Sequence, residues 1–388
     1  MQRFWRSRNI AILYATTFLS GLMFFLPILA LYFQATLFTA QNVAIIFSAE
    51  AIAIAIFEVP TGAVADLFGR KNTMLISYIL RVLVLVLLLM GGSMVVFLAY
   101  AILNAFAHAL NSGADTALMY DTLKEEGQEK IYKKVSGIYM AIWPFGAAIS
   151  AIIGGYMAAV SLRTPIFYTI FPYALASVLI CFIVEPKHER KIGGTLKSHM
   201  FETARDVIKN KQLLIILLGG VVAWSFGESL HFLSQLFFQY KEIPIVLFGY
   251  ITAASFALSS LGFYFSHNIS EWIGNKKTVI ISVALSGLFI ILATLTSGYV
   301  MLIIFVLSSF FFGLRSPVLG HLWNEEIGSS KRATANSINS LVSQAGSAVA
   351  LLLLGYWIDI FTASTAFLLG GLIMLFIPSM FFVFLKKN

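Results

Sequence analysis

Apolar runs of about 20 residues alternate with short polar connectors along the whole chain. A run of that length crosses a ~30 Å hydrocarbon core as a helix. The pattern predicts twelve such helices. Six fall near residues 10–32, 41–65, 73–92, 94–119, 135–158 and 165–184. Six more fall near 212–239, 245–267, 277–296, 298–320, 333–358 and 362–384. Tight turns are expected at Gly91-Gly92-Ser93 and Thr296-Ser297-Gly298.

The two sets repeat one another. Asp66-Leu67-Phe68-Gly69-Arg70-Lys71-Asn72-Thr73 and Glu271-Trp272-Ile273-Gly274-Asn275-Lys276-Lys277-Thr278 both read acid-x-x-Gly-x-Lys-x-Thr, and each joins two apolar runs. Gly146 and Gly155-Tyr156 recur as Gly346 and Gly355-Tyr356, and Glu125-Glu126 as Glu325-Glu326. The expected architecture is an all-α polytopic membrane protein: twelve transmembrane helices in two pseudo-symmetric six-helix bundles, 1–190 and 212–388, joined by a linker at 191–211. A duplicated membrane unit suggests halves that move around a central site.

Composition agrees, with 59% hydrophobic and 11% charged residues. The run from Ile10 to Tyr32 is too long for a signal-peptide core and is read as an uncleaved first span. Cys181 is the sole cysteine, which excludes an internal disulfide and a cysteine metal site. The net charge of +8 does not point to nucleic acid, because the basic residues sit in short loops. Of the 26 basic residues, only Arg163 and Lys241 fall in loops on one side, and only Arg81 and Arg315 fall within spans. The bias places both termini in the cytoplasm of a cell (inner) membrane protein. In the stretch 185–211, Phe201, Ala204, Val207 and Ile208 follow helical spacing, which marks a candidate surface helix; a solvated linker is the alternative.

Six spans, a basic linker and six spans resemble the major facilitator superfamily of secondary transporters. Gly62-Ala63-Val64-Ala65-Asp66-Leu67-Phe68-Gly69-Arg70-Lys71 is similar to its signature between spans two and three, Gly-x-x-x-Asp-x-x-Gly-Arg-Lys. Phe57-Glu58-Val59-Pro60-Thr61 resembles a variant found in bacterial drug-efflux-like members. The resemblance implies a cytoplasmic gate at Gly62, Asp66, Gly69, Arg70 and Lys71, with a second, weaker copy at Glu271, Gly274 and Lys276. The plain alternative is that Arg70 and Lys71 set topology. Gly137, Gly146, Gly154 and Gly155 match an antiporter stripe in the fifth span, but Ser150 and Ala151 replace its Gly-Pro, and the family's fourth-span arginine is absent around Leu103–His108.

Ionisable residues at membrane depth cost at least ~2.5–3.5 kcal/mol, so each asks for a partner or a role. Glu58, Arg81 and Asp115 fall ~12, ~13 and ~9 Å inward of the same side at 1.5 Å per residue. They are expected to form a buried charge cluster, as a clamp or as a proton-sensitive switch. Glu228 and His231 share a face of the seventh span, with Trp224 and Gln235 extending a polar-aromatic stripe. These residues, with Arg315, are the substrate and proton candidates; the plain alternative is hydrogen bonding between helices. His108 is expected to be a packed, hydrogen-bonded histidine.

No phosphate-binding loop or zinc spacing is present, so no enzyme, cofactor or metal is expected. The expected function is alternating-access secondary transport, as proton-coupled efflux of amphipathic compounds or drugs. Uptake or exchange of a metabolite, and a non-transporting sensor or lipid scaffold, are the alternatives. Expected partners are a small-molecule substrate, protons and membrane lipids for a monomeric protein, without nucleic acid.

Overall fold

The computed structural model describes residues 7–186, 196–328 and 331–385, with backbone alone at 59–68, 196–201 and 333. The described residues are helical, and they include twelve spans long and apolar enough to cross a membrane. In chain order the helices are α1 (Arg8–Gly21), α2 (Leu29–Leu37), α3 (Ala40–Phe68), α4 (Arg70–Met90), α5 (Met94–Asn111), α6 (Ala114–Glu125), α7 (Tyr132–Val160) and α8 (Arg163–Cys181). They continue as α9 (Leu196–Lys209), α10 (Lys211–Phe232), α11 (Ser234–Tyr240), α12 (Ile245–Ile273), α13 (Asn275–Leu295), α14 (Gly298–Glu325), α15 (Arg332–Ile360) and α16 (Ala363–Val383).

Three runs expected as single helices are interrupted. The first breaks between α1 and α2, where Leu26–Ile28 forms a short 3-10 turn containing Pro27. The fourth stops at Asn111 and restarts at Ala114, with Gly113 at φ +82°. The seventh breaks at Leu233, between α10 and α11. Hydrophobic periodicity misses the first break because the residues on either side stay apolar, whereas Asn111-Ser112-Gly113 carries a turn signal at the second. Both expected tight turns form: Gly91, Gly92 and Gly298 take positive φ, and the Ser93 hydroxyl accepts from the Val96 amide.

The described residues form two compact units. The first gathers Met1–Leu37, Ile52–Gly193 and Ile245–Ala253; the second gathers Phe38–Ala51, Gly194–Pro244 and Ala254–Asn388. Thus α3 and α12 each contribute one segment to both units. In the second unit the Asp359 carboxylate accepts from the Ala40 and Gln41 amides, both at 2.8 Å, and caps the start of α3.

The sequence repeat is visible in the backbone. Gly69 and Gly274, at the same place in the two copies, have φ of +86° and +88°. This left-handed region is where glycine avoids the Cβ clash, so the loop can reverse at once into α4 or α13. Gly146 and Gly346 also do parallel jobs. A Cβ on Gly146 would lie 2.8 Å from the Phe18 carbonyl of α1, and one on Gly346 would lie 2.5 Å from Ser225 Oγ of α10. Backbone yields less readily than a serine side chain. Gly146→Ala is therefore expected to cost more than Gly346→Ala, within the ~1–3 kcal/mol typical of overpacking. Thermal unfolding of the two variants in detergent checks the order.

The linker helix is not a free amphipathic segment. Val207 and Thr203 of α9 are buried, and Val207 joins a core cluster with Leu213, Val279 and Trp323. Ile208 stays exposed, and the Phe201 side chain lies outside the described ones. Lys331 Nζ donates to Glu202 at 2.6 Å and to Asp206 at 2.7 Å, and Asn210 Nδ2 donates to Glu326 at 3.0 Å. The Lys331 hydrogen bond holds the Asp206 carboxyl below its ordinary 3.8, while Asp206 and Glu202 push the Lys331 ammonium above its ordinary 10.5. The Asp206 contribution is therefore present above 3.8 and fades as pH falls through its lower folded value. The Lys331 contribution is present below 10.5 and fades as pH rises through its higher folded value. Docking of α9 is expected to hold between about pH 5 and 9, and to loosen on acidification below about pH 4 and in high salt. Hydrogen exchange of the Glu202–Lys209 amides measures it.

Candidate functional site

The loop between α3 and α4 forms a dense polar junction. Glu185, just past α8, accepts from the Arg70 and Lys71 amides at 2.8 Å each. Its carboxylate satisfies two orphan donors at the positive end of α4. The Arg70 guanidinium donates to the Ala117 carbonyl at 2.6 Å and pairs with the Asp121 carboxylate of α6. Lys71 Nζ reaches the Cys181 carbonyl at the end of α8, at 2.8 Å. The side chain of Asp66 and the surroundings of Gly62 lie outside the described residues. The junction joins three helices, a tighter arrangement than topology-setting by positive charge requires.

The second copy keeps the lysine contact and loses the rest. Lys276 Nζ donates to the Val383 and Leu385 carbonyls at 2.6 and 2.7 Å. A lysine from the start of α4 or α13 thus caps the carbonyl end of α8 or α16 in each repeat. Asn275 stands where the first copy has Arg70, and Glu271 is exposed beside His267 at 3.4 Å. Lys276→Ala is expected to destabilise the second unit by about 1 kcal/mol by orphaning two carbonyls. The melting temperature in detergent reads the change.

Of the expected Glu58–Arg81–Asp115 cluster, Arg81 and Asp115 lie within electrostatic reach of one another, while their hydrogen bonds go to other groups. Arg81 faces Nδ1 of His108 at 3.4 Å and sits 5.8 Å from the Tyr173 ring centroid. Asp115 accepts from Tyr139 Oη at 2.5 Å, from the Thr116 amide at 2.6 Å and from Asn111 Nδ2 at 3.4 Å. The Arg81 charge acts on the Asp115 carboxyl across space rather than through a direct hydrogen-bonded pair. The break at Gly113 accounts for the difference: it places Asp115 in the first turn of α6, where backbone donors and the helix dipole serve the carboxylate. His108 is hydrogen-bonded as expected.

The second unit holds a cavity of about 340 Å³. Trp224 of α10, Arg315 of α14, and Asn336, Asn339, Ser343 and Gln344 of α15 line it. The three α10 positions Ile216, Gly220 and Trp224 recur every four residues, one helical stripe facing the space. Asn336, Asn339, Ser340 and Ser343 do the same on α15. The Trp224 ring packs on Phe312 at 5.3 Å between centroids.

Glu228 lies one turn along α10 from Trp224, and its carboxylate accepts from Ser347 Oγ of α15 at 3.0 Å. His231 is exposed on the helix surface, and Gln235 is buried beyond the break at Leu233, so the stripe does not run on in one helix as expected. Arg315 is 2% exposed. It donates to Ser286 Oγ at 2.9 Å and to the Ala223 carbonyl at 3.2 Å, with its guanidinium 5.0 Å from the Phe312 ring centroid.

Sequence reasoning missed Glu185, Asp121, Tyr139, Asp359 and the amide row of α15. Asp121 was discoverable: it is an acid at the end of a span, three residues before Lys124. Asparagines and serines on α15 recur at helical spacing and carried a signal as well. Glu185 and Asp359 gave none, because each caps a helix distant in sequence.

Comparison with known proteins gives a consistent result. The family model described as Major Facilitator Superfamily matches residues 9–272 and 230–388. The quinolone resistance protein NorA of Staphylococcus aureus is 24% identical over 363 residues, covering 91% of each chain. A bicyclomycin resistance protein homolog of Haemophilus influenzae is 24% identical over 244 residues, 60% of this chain and 59% of that one. Among solved structures, the nucleoside transporter NupG aligns with a TM-score of 0.83 at 15% identity, over 98% of this chain and 100% of that one. A D-xylose-proton symporter aligns with a TM-score of 0.75 at 13% identity, over 98% and 97%. At these identities the two structures speak to fold alone. The chain is a multi-pass membrane transporter for a small molecule, not an enzyme, and it belongs to the Major Facilitator Superfamily.

Proposed function

We propose that the chain exports amphipathic compounds across the cell membrane by alternating access, driven by proton entry, as a monomer with both termini in the cytoplasm. The observation that carries this reading is Glu228. It is the one acid in α10, it lies one turn from the cavity, and it is held by a serine rather than a cation. A carboxyl so placed can carry either a proton or a cationic substrate group, and the competition couples the two. The resistance proteins among the relatives support export, and the basic loops support the orientation.

Uptake is the second reading, because the same fold serves either direction of transport. Inverted membrane vesicles separate them. Export predicts that a panel of amphipathic compounds accumulates inside inverted vesicles when a proton gradient is imposed, and that a protonophore stops it. Gradient-driven loss from the vesicles would instead establish uptake. Binding without flux in either direction would reject transport of that panel and favour a sensor.

A further inference from the structure

A second cavity, of about 360 Å³, lies between the linker helix α9 and the adjoining ends of α14 and α15. Its lining shares no residue with the cavity at Trp224. One side is apolar: Val207 of α9, Leu213 of α10, Ile327 just past α14 and Ala335 of α15 are all buried. The rest is polar and charged, with Asp206 and Lys209 of α9, Asn210, Glu326 and Lys331. Packed protein holds few voids larger than a water molecule. A space of this size beside a docked helix has room for a small molecule.

The charges around the cavity are not equally engaged. Lys331 donates to both Glu202 and Asp206. The Lys209 charge also acts on Asp206, as does Arg205 from outside the lining. Nearby, Glu325 pairs with His321 at 3.1 Å, and Arg332 donates to the Asn324 carbonyl. Glu326 differs from these. Its carboxylate accepts from the neutral Asn210 Nδ2 at 3.0 Å, and among the described residues it has no ion pair. A carboxylate has about four acceptor sites, so one neutral donor leaves it far from satisfied. The structural reason for an acid here is the repeat. Glu126 accepts from Ser7 Oγ at 2.6 Å as Glu326 does from Asn210, and each partner precedes the first helix of a repeat. That role uses one lone pair and leaves the others facing outward from the cap. Asn210 in turn caps α10, since its Oδ1 accepts from the Gln212 and Leu213 amides at 2.9 and 3.3 Å. A molecule beside Glu326 would therefore touch α9, the start of α10 and the ends of α14 and α15 together. An ammonium suits the carboxylate, and an apolar body suits the buried side.

We propose that this cavity is a regulatory site for a small organic cation, an ammonium on an apolar body, and that its occupant clasps the linker helix to the second unit. An occupant that binds only the docked form deepens docking by mass action, and the undocked population halves when the free ligand reaches its Kd. Helix α9 leads directly into α10, which carries Glu228, so the clasp acts at the base of the helix on which the transport reading rests.

The test uses the purified full chain in detergent at pH 7 and three probes: 2-phenylethylamine, 2-phenylethanol and 3-phenylpropanoate. Each is titrated while hydrogen exchange of the Glu202–Lys209 amides is followed, and the concentration that halves the exchange rate is read. The amine should reach that point at a concentration about fivefold lower than the alcohol, the upper value for a solvent-exposed ion pair. The carboxylate should need more than the alcohol. Glu326→Gln keeps an acceptor for Asn210 and removes the charge, so amine and alcohol should become equal. Alcohol or carboxylate matching the amine on the parent overturns the site, as does an amine preference that survives Glu326→Gln. Should that variant undock α9 by itself, the parent's ranking of the three probes decides. Amine that slows exchange around Glu228 in α10 and Ser347 in α15, with no effect in α9, also overturns the site and places the cation in the transport path. The exporter reading stands on Glu228 and on flux in vesicles, so either conclusion can fail while the other holds.

Discussion

Arg70→Ala should lower transport at least about tenfold while the chain still inserts in the membrane. The side chain pairs with Asp121 and both are 15% exposed, so removing the cation leaves a largely buried carboxylate. Breaking a buried pair costs about 3–5 kcal/mol, and the residual exposure puts this one near 3 kcal/mol. The Ala117 carbonyl loses its donor in the same step. The α4 cap does not depend on the Arg70 side chain, since Glu185 holds backbone amides. Insertion and the fold of α4 should therefore survive. A clamp and a gate differ in the double variant Arg70→Met with Asp121→Leu. Two apolar residues of similar volume replace the ion pair without leaving an orphan charge, so stability should return. A gate needs a junction whose charges form and release during the cycle, so flux should stay low. Full recovery of flux along with the melting temperature would reduce the junction to a structural clamp.

The spans, the turns and the repeat were legible because each is written in local residue type. Apolar runs of membrane length, glycines at Gly69 and Gly274, and the paired Gly146 and Gly346 all carry their structural meaning within a few positions. The candidate site was legible in part. Glu228, Trp224 and Arg315 announce themselves as polar or aromatic residues on apolar helices, and the structure puts Trp224 and Arg315 on one cavity with Glu228 a turn away. The partners were not legible. The rise per residue sets the depth of Arg81 and Asp115 only where both helices run straight, and depth alone says nothing of rotation about the helix axis. The break at Gly113 changed both for Asp115. Helix caps supplied from another helix, as by Glu185 and Asp359, follow from tertiary contacts that no window of sequence contains.

Glu228→Gln should reduce gradient-driven flux to the level seen with no gradient, a loss of at least about tenfold, while binding of a neutral amphipathic compound stays unchanged. Glutamine keeps the shape and an acceptor for Ser347 Oγ, so the α10–α15 contact persists and stability should shift by less than about 1.5 kcal/mol. What it removes is the exchangeable proton. A ligand shifts an equilibrium only by its differential affinity for the two states, and an amide has none for protons near neutral pH. Glu228→Asp retains the carboxyl one methylene further from Ser347 and should keep part of the flux with an altered pH profile. Ser347→Ala removes the donor and leaves the acid, so it too should shift the pH profile without abolishing coupling. The same amide substitution at Glu50 should matter less, because that residue lies outside the α10–α15 pairing. Vesicle transport across a range of imposed gradients reads all four variants. If Glu228→Gln keeps full gradient-driven flux, the proton site is elsewhere, and Asp115 with its Tyr139 hydrogen bond is the next acid to replace.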